Sequence, residues 1–158
     1  MTPGASTPTR SRWLSDAEQQ SWRSYLRGAH LVTEALERDL APHGLSLSEY
    51  EIISMLSEVP GRRMRMSELA DIVVQSRSRL THTANRLADR GWVTRQACPD
   101  DRRGVLLELT AAGRAKLKTL APIHVGSVRA NLIDLLTPEQ FAALGQAMEV
   151  VRRHHTGG

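Results

Sequence analysis

Apolar residues recur at helical spacing along most of this chain, and the interruptions fall where helices must end. Trp22, Tyr25, Leu26, Ala29, Val32, Leu36 and Leu40 form one long stripe, opened by an SxxE capping box at Ser15–Glu18 and closed before Pro42 and Gly44. A second SxxE box, Ser48–Glu51, predicts a helix that turns Tyr50, Ile53 and Leu56 inward until Pro60 and Gly61 break it. Ser67 is the expected cap of a short third helix with Leu69, Ala70, Ile72 and Val73 toward the core. Ser76 caps a fourth, in which Leu80, Ala84 and Leu87 face inward and Gly91 supplies the left-handed close.

Beyond Gly91 the period changes from helix to strand. Trp92–Ala97 and Val105–Leu109 read as two strands of a hairpin, with turn chemistry at Pro99, Asp100, Asp101 and Gly104 between them. Thr110 then caps a long helix through Leu117, Leu120, Val125, Val128, Leu132 and Leu136, expected to kink at Pro122. A last helix opens on Thr137-Pro138-Glu139-Gln140, and Phe141, Leu144, Met148 and Val151 make its stripe.

This order predicts a mainly α fold: a winged helix-turn-helix with a small β-hairpin wing and a helical dimerisation region. The expected organisation is a disordered lead over 1–12, one domain over 13–155 and a frayed tail over 156–158. Within the domain, 48–110 is the winged helix-turn-helix, and 13–41 and 111–155 are dimerisation helices. The outer helices carry more apolar surface than a small winged helix covers, which favours a homodimer. Folding back within one monomer is the alternative.

Charge sharpens this picture. The 158 residues hold 21 Lys plus Arg against 17 Asp plus Glu, with a pI near 10.0, which favours a polyanionic partner over an acidic small substrate. The excess is local: Arg62, Arg63, Arg65, Arg77, Arg79, Arg86, Arg90, Arg95, Arg102 and Arg103 face only Glu68, Asp71, Asp89, Asp100 and Asp101. Double-stranded DNA is the expected partner. A recognition helix reaches base edges with its N-terminal residues, here Ser76, Arg77, Ser78, Arg79, Thr81 and His82. Arg77 and Arg79 are the expected base readers, since each guanidinium can donate twice to guanine, and Arg86 is expected on phosphate. In the wing, Asp101 is expected to pair with the Arg103 guanidinium and aim it into the minor groove, with Arg102 on phosphate. A purely structural ion pair in the turn is the other reading. Adjacent carboxylates in an exposed turn have no cleft to shift their pKa values, so acid–base catalysis is not expected there.

SELADIVVQSRSRLTHTANRLADRGWV followed by DDRRGVLLELTAAG resembles the multiple antibiotic resistance regulator (MarR) family of bacterial winged-helix transcription factors, with Asp101, Arg103, Leu109, Thr110 and Gly113 matching its wing motif. The resemblance extends in helix order from about residue 13 to 155. It implies a homodimer on a pseudo-palindromic operator, and in many members a repressor released by a small aromatic or phenolic ligand. Such effectors sit between the dimerisation helices and the winged helix, which makes Trp22, Leu26, His30, Tyr50 and Ile53 the candidate effector-binding residues. The apolar stripes they belong to serve equally as core.

Other chemistry is thinly represented. Cys98 is the sole cysteine, so no internal disulfide or cysteine metal cluster forms, and a cytoplasmic setting is the default. Its place beside Pro99 predicts exposure, which leaves a redox role open, although peroxide-sensing members of the resembling family carry the reactive cysteine in their N-terminal helices. His154 and His155 are adjacent and point apart on a helix, and His30, His43 and His124 converge only if the fold brings them together. No metal, cofactor or membrane span is expected, and no nucleophile elbow, phosphate loop or zinc-protease motif occurs. The function expected is a sequence-specific regulator. A non-specific nucleoid-type DNA-binding protein would use the same basic surface, and an enzyme would need a convergent catalytic set.

Overall fold

The computed structural model describes residues 13–156, the side chain of Arg102 excepted. The lead expected over 1–12 and the last two residues of the expected tail lie outside the described residues. Among the described residues six α-helices and three strands follow in the order α1 (Asp16–Leu40), α2 (Leu47–Glu58), β1 (Arg63–Arg65), α3 (Met66–Ile72), α4 (Arg77–Asp89), β2 (Val93–Cys98), β3 (Asp101–Leu109), α5 (Ala111–Asn131) and α6 (Pro138–Thr156). Thr156, assigned above to a frayed tail, is the last helical residue, its hydroxyl donating to Arg152 O at 3.0 Å.

By internal contacts the chain divides into two compact units, one up to Leu31 and one from Val32 on. The first holds the N-terminal part of α1. Its capping box is formed as expected: Ser15 N donates to Glu18 Oε2 at 2.8 Å and Glu18 N to Ser15 Oγ at 3.3 Å. The Trp22 and Tyr25 rings stack with centroids 5.9 Å apart, and Trp13, Leu14, Trp22, Tyr25, Leu26 and Leu31 are all exposed.

The second unit contains the core. Ile52, Ile53, Leu56, Leu69, Leu80, Leu87, Val93, Leu107 and Leu120 are buried together, so α2 to α5 and the sheet close around one apolar centre. The start of α2 differs from the expected box. Ser46, not Ser48, is the cap: Ser46 N donates to Glu49 Oε2 at 2.8 Å and Glu49 N to Ser46 Oγ at 3.2 Å. Both SxxE pairs fit the sequence rule, but Glu51 is engaged elsewhere by the α3–α4 turn. In α3, Arg65 rather than Ser67 stands at the cap, with its N–H donating to Glu68 Oε2 at 3.4 Å. Ile72 faces outward because the helix ends there, whereas Leu69 and Val73 are buried as expected and Ala70 is half-buried.

The wing has three strands rather than two, in the order β1-β3-β2, all antiparallel. β1 was not anticipated, since three residues of the sequence Arg-Met-Arg carry no strand signal of their own. Met64 pairs with Leu107 across the sheet. Trp92 lies outside β2, and β3 begins at Asp101, four residues before the expected start, with a register shift between Ala97 and Cys98 that accommodates the extra length. Gly91 closes α4 at φ +73°.

Thr110 caps α5 through a 3.0 Å bond from Gly113 N, and Pro122 sits inside the helix without ending it. The helix stops at Asn131, short of the expected Leu132 and Leu136. Asn131 Nδ2 turns back to Ser127 O at 2.9 Å, and a 3-10 turn over Ile133–Leu135 follows. Thr137 caps α6 and Gln140 closes the box, as expected. No residue of α6 is buried, and Phe141, Met148, Val150 and Val151 are exposed.

Gly113 occupies the tightest point where the helix meets the wing. A Cβ there would lie 2.1 Å from Trp92 O and 2.7 Å from Leu109 Cδ1. Gly113→Ala is therefore expected to lower stability by roughly 1–3 kcal/mol or more by overpacking, whereas Gly126→Ala in the same helix, with open space around it, is expected to be neutral or stabilising. Urea unfolding of the two variants checks the contrast, and equal effects would overturn it.

Candidate nucleic-acid interface

The exposed edge of α4 is built by fixing its back. Leu80, Thr83, Ala84 and Leu87 are buried at helical spacing, which forces Ser76, Arg77, Ser78, Arg79, Thr81 and His82 onto the opposite, exposed side. Ser76 Oγ accepts Arg79 N at 3.2 Å and starts the helix where the serine signal predicted. Arg77 approaches Asp71 at 3.9 Å with both side chains at least 73% exposed, a pairing too solvated to hold it back from another anion. Thr81 Oγ1 donates to Arg77 O at 3.1 Å, so its hydroxyl proton is spent on its own helix.

Arg86, expected on phosphate, has a half-exposed side chain and also holds a buried acid. Its Nε donates to Glu49 Oε1 at 3.0 Å, and Glu49 is only 2% exposed. Arg90 joins the same carboxylate at 3.7 Å, donates to Gly44 O, and lies 5.0 Å over the Trp92 ring. Burial pushes the Glu49 pKa up, but the Ser46 N–H, the Arg86 hydrogen bond and the charges of Arg90 and Arg86 outweigh it, and the net shift is down. These two arginines hold the helix in place.

The wing also differs in detail. Asp101 Oδ1 accepts the backbone N–H of Arg103 at 3.0 Å, and its Oδ2 lies 3.8 Å from Arg65 Nη1 on β1. The carboxylate thus fixes the wing backbone and pairs with Arg65, not with the Arg103 guanidinium as expected, because a third strand brings a cation alongside. Arg103 is exposed at the tip, and the expectation for the Arg102 side chain lies outside the described residues. Arg95 Nη1 donates to Asn85 Oδ1, adding an exposed β2–α4 link that periodicity alone did not single out. Cys98 is buried, contrary to expectation: it packs under Gly104, where a Cβ would come within 2.7 Å of its Sγ.

Behind α4 lies a cleft of about 400 Å³, bordered by Glu37, Tyr50, Glu51, Met55, Arg79 and His124 among others. The Tyr50 and His124 rings stack at 4.1 Å. Burial lowers the His124 pKa, and its Nδ1 is buried without a hydrogen-bond partner. Of the effector candidates, Tyr50 lines this cleft. Ile53 is fully buried in the core instead, and Trp22, Leu26 and His30 are exposed in the first unit. His124 and Arg79 were not foreseen as neighbours, because one is in α5 and the other in α4. Among the described residues no group of three or more His, Cys, Asp or Glu is placed to hold a metal ion, and no helix is long and apolar enough to cross a membrane.

Known proteins share this architecture. The sequence model of the MarR family matches residues 43–104. AbsC, a MarR family transcriptional regulator from Streptomyces coelicolor, superposes with a TM-score of 0.86 at 44% identity, over 94% of this chain and 100% of that one. A second MarR family regulator from Streptomyces coelicolor, solved in complex with DNA, gives 0.87 at 42% identity over 92% of each chain. The repressor Rv2887 of Mycobacterium tuberculosis is 31% identical over 127 residues, 80% of this chain and 89% of the relative. Other curated relatives are spanned less fully, as with 59% of the length of the YetL repressor of Bacillus subtilis.

The depressed pKa of Glu49 fixes a sign. Its contribution to stability is complete above the ordinary glutamate range and is lost as pH falls through the lowered folded value. Glu49→Gln is expected to cost about 1–3 kcal/mol at neutral pH, and the gap to wild type to narrow on acidification. Urea unfolding across pH measures it, and a gap independent of pH would contradict the assignment.

Proposed function

This chain belongs to the MarR family of winged-helix regulators, and we propose that it acts as a homodimeric, sequence-specific DNA-binding repressor released by a small aromatic or phenolic ligand. One observation carries the reading: the first two turns of α4 present Arg77, Ser78, Arg79 and His82 outward while the back of the helix is locked into the core. A rigid helix end bearing two unburied guanidinium groups suits base edges in the major groove. Arg103 on the wing is the complementary minor-groove contact. A relative solved with DNA supports the partner class.

Dimerisation follows from the same economy of surface. α6 buries none of its own residues, yet Phe141, Leu144, Met148 and Val151 fall on one stripe, and a second copy of the chain supplies the cover. Two α4 helices then meet successive major grooves about 34–36 Å apart, so the operator carries paired half-sites. The cleft beside Tyr50 and His124 is the proposed effector site. A ligand there relieves repression only if it binds the DNA-free arrangement more tightly than the DNA-bound one.

Arg77→Ala is expected to lose roughly 1–3 kcal/mol of discrimination at one position of each half-site, while binding to random duplex stays nearly unchanged. Binding to a selected operator and its single-base variants tests this. Equal affinity of the wild type for operator and random duplex would favour a non-specific architectural role instead. Leu144→Asp is expected to convert the dimer to monomer in size-exclusion chromatography and abolish cooperative half-site occupancy.

A further inference from the structure

The turn between α3 and α4 decides where the proposed reading helix begins, and of its residues Val73 alone is packed into the core. Val74 is 91% exposed, and residues 73–76 lie outside both helices. Beyond Val73 the restraint is polar, and two residues of α2, Glu51 and Ser48, contribute to it. Glu51 Oε1 accepts Val74 N at 2.8 Å and Glu51 Oε2 accepts Gln75 Nε2 at 3.3 Å. Gln75 Nε2 also donates to Ser48 O at 3.0 Å, and Gln75 Oε1 accepts from Thr83 Oγ1 at 3.1 Å. Thr83 is fully buried in α4, and its single hydroxyl proton is shared between Gln75 Oε1 and Arg79 O at 2.9 Å. A continuous set of hydrogen bonds therefore runs from α2 through the turn to the helix that carries Arg77 and Arg79.

We infer that Glu51 is the positioning residue of the DNA-reading helix: its carboxylate sets the start and direction of α4 and through them the sequence selectivity of the protein. Glu51 touches no nucleic acid in this scheme and acts through Val74 and Gln75. The same carboxylate borders the cleft beside Tyr50 and His124, as do Val74 and Arg79. The joint that aims the helix is thus part of the cleft wall. Hydrogen bonds to a charged acceptor are among the stronger ones, so their loss frees the turn without dissolving the core.

The inference rests on the DNA-reading role proposed above, and the experiment separates the two. Glu51→Ala, Glu51→Gln and Ser127→Ala are compared with wild type for affinity to a duplex selected from a random library and to random duplex, and for amide exchange by NMR. Ser127→Ala removes the 2.6 Å bond to Asp39, which involves neither Glu51 nor any residue of the turn, and controls for general loss of stability. Glu51→Ala is expected to lower the ratio of selected to random affinity by roughly tenfold or more and to speed exchange at Val74 and Arg79 but not at Leu87. Glu51→Gln, which keeps an acceptor for Val74 N–H, is expected to restore most of the ratio, and Ser127→Ala to leave it unchanged. Unchanged selectivity and exchange in Glu51→Ala, or an equal loss of the ratio in Ser127→Ala, overturns the inference. A wild type that selects no duplex refutes the DNA-reading role alone, and the exchange pattern then decides on Glu51.

Discussion

The carboxylate of Glu49 is the fixed point about which the winged helix is assembled. It caps the start of α2 through Ser46 N and accepts Arg86 from the last turn of α4. It also draws in Arg90 at the end of that helix, beside Trp92 at the approach to the wing. Burying one carboxylate against two half-exposed arginines is not by itself a source of stability, since desolvation offsets much of the attraction. What it supplies here is direction. Apolar contacts through Leu80, Ala84 and Leu87 bring α4 against the core but allow it to slide or roll, whereas a hydrogen-bonded guanidinium fixes one register.

That constraint sorts the arginines into two kinds. Arg86 and Arg90 point back toward α2 and carry the helix, while Arg77 and Arg79, on the first turn, point away from any buried carboxylate. A count of positive charge treats all four alike. The difference comes from three-dimensional placement of a single acid 37 residues before Arg86 in the chain, and it gives Arg86 a structural bond that Arg77 and Arg79 do not make to that acid. The wing repeats the theme. Asp101 is occupied by the Arg103 N–H and by Arg65, so the Arg103 side chain is left exposed.

Local signals in the sequence were reliable where the chain decides by itself. Ser76, Thr110, Thr137 and the Ser15–Glu18 box each cap the helix they announce, and the α4 stripe is buried at the residues its period indicates. The signals failed where two local answers were equally good or where a partner came from afar. Ser46–Glu49 and Ser48–Glu51 are the same motif two residues apart, and the choice is made by Arg86 on one side and the α3–α4 turn on the other. β1 is a strand only because β3 lies beside it. Cys98 next to a proline reads as a surface residue, but the register shift after Ala97 turns it beneath Gly104. Likewise nothing local to α5 announces that His124 will lie on Tyr50.

The two glutamates of α2 together explain how a short helix can govern a longer one. Glu49 and Glu51 are two positions apart, so they leave α2 in directions about 200° apart, one toward the body of α4 and one toward the turn that precedes it. Their accessibility differs accordingly: Glu49 is sealed, whereas Glu51 shares its surroundings with an open cleft. A change at the sealed end would have to unmake the core, and a change at the open end need only compete for a carboxylate. Any adjustment of α4 that leaves the fold intact is therefore cheapest at its N-terminal turn. That is also the turn that bears the exposed guanidinium groups, so small displacements there act on the residues proposed to read sequence while the far end of the helix stays anchored.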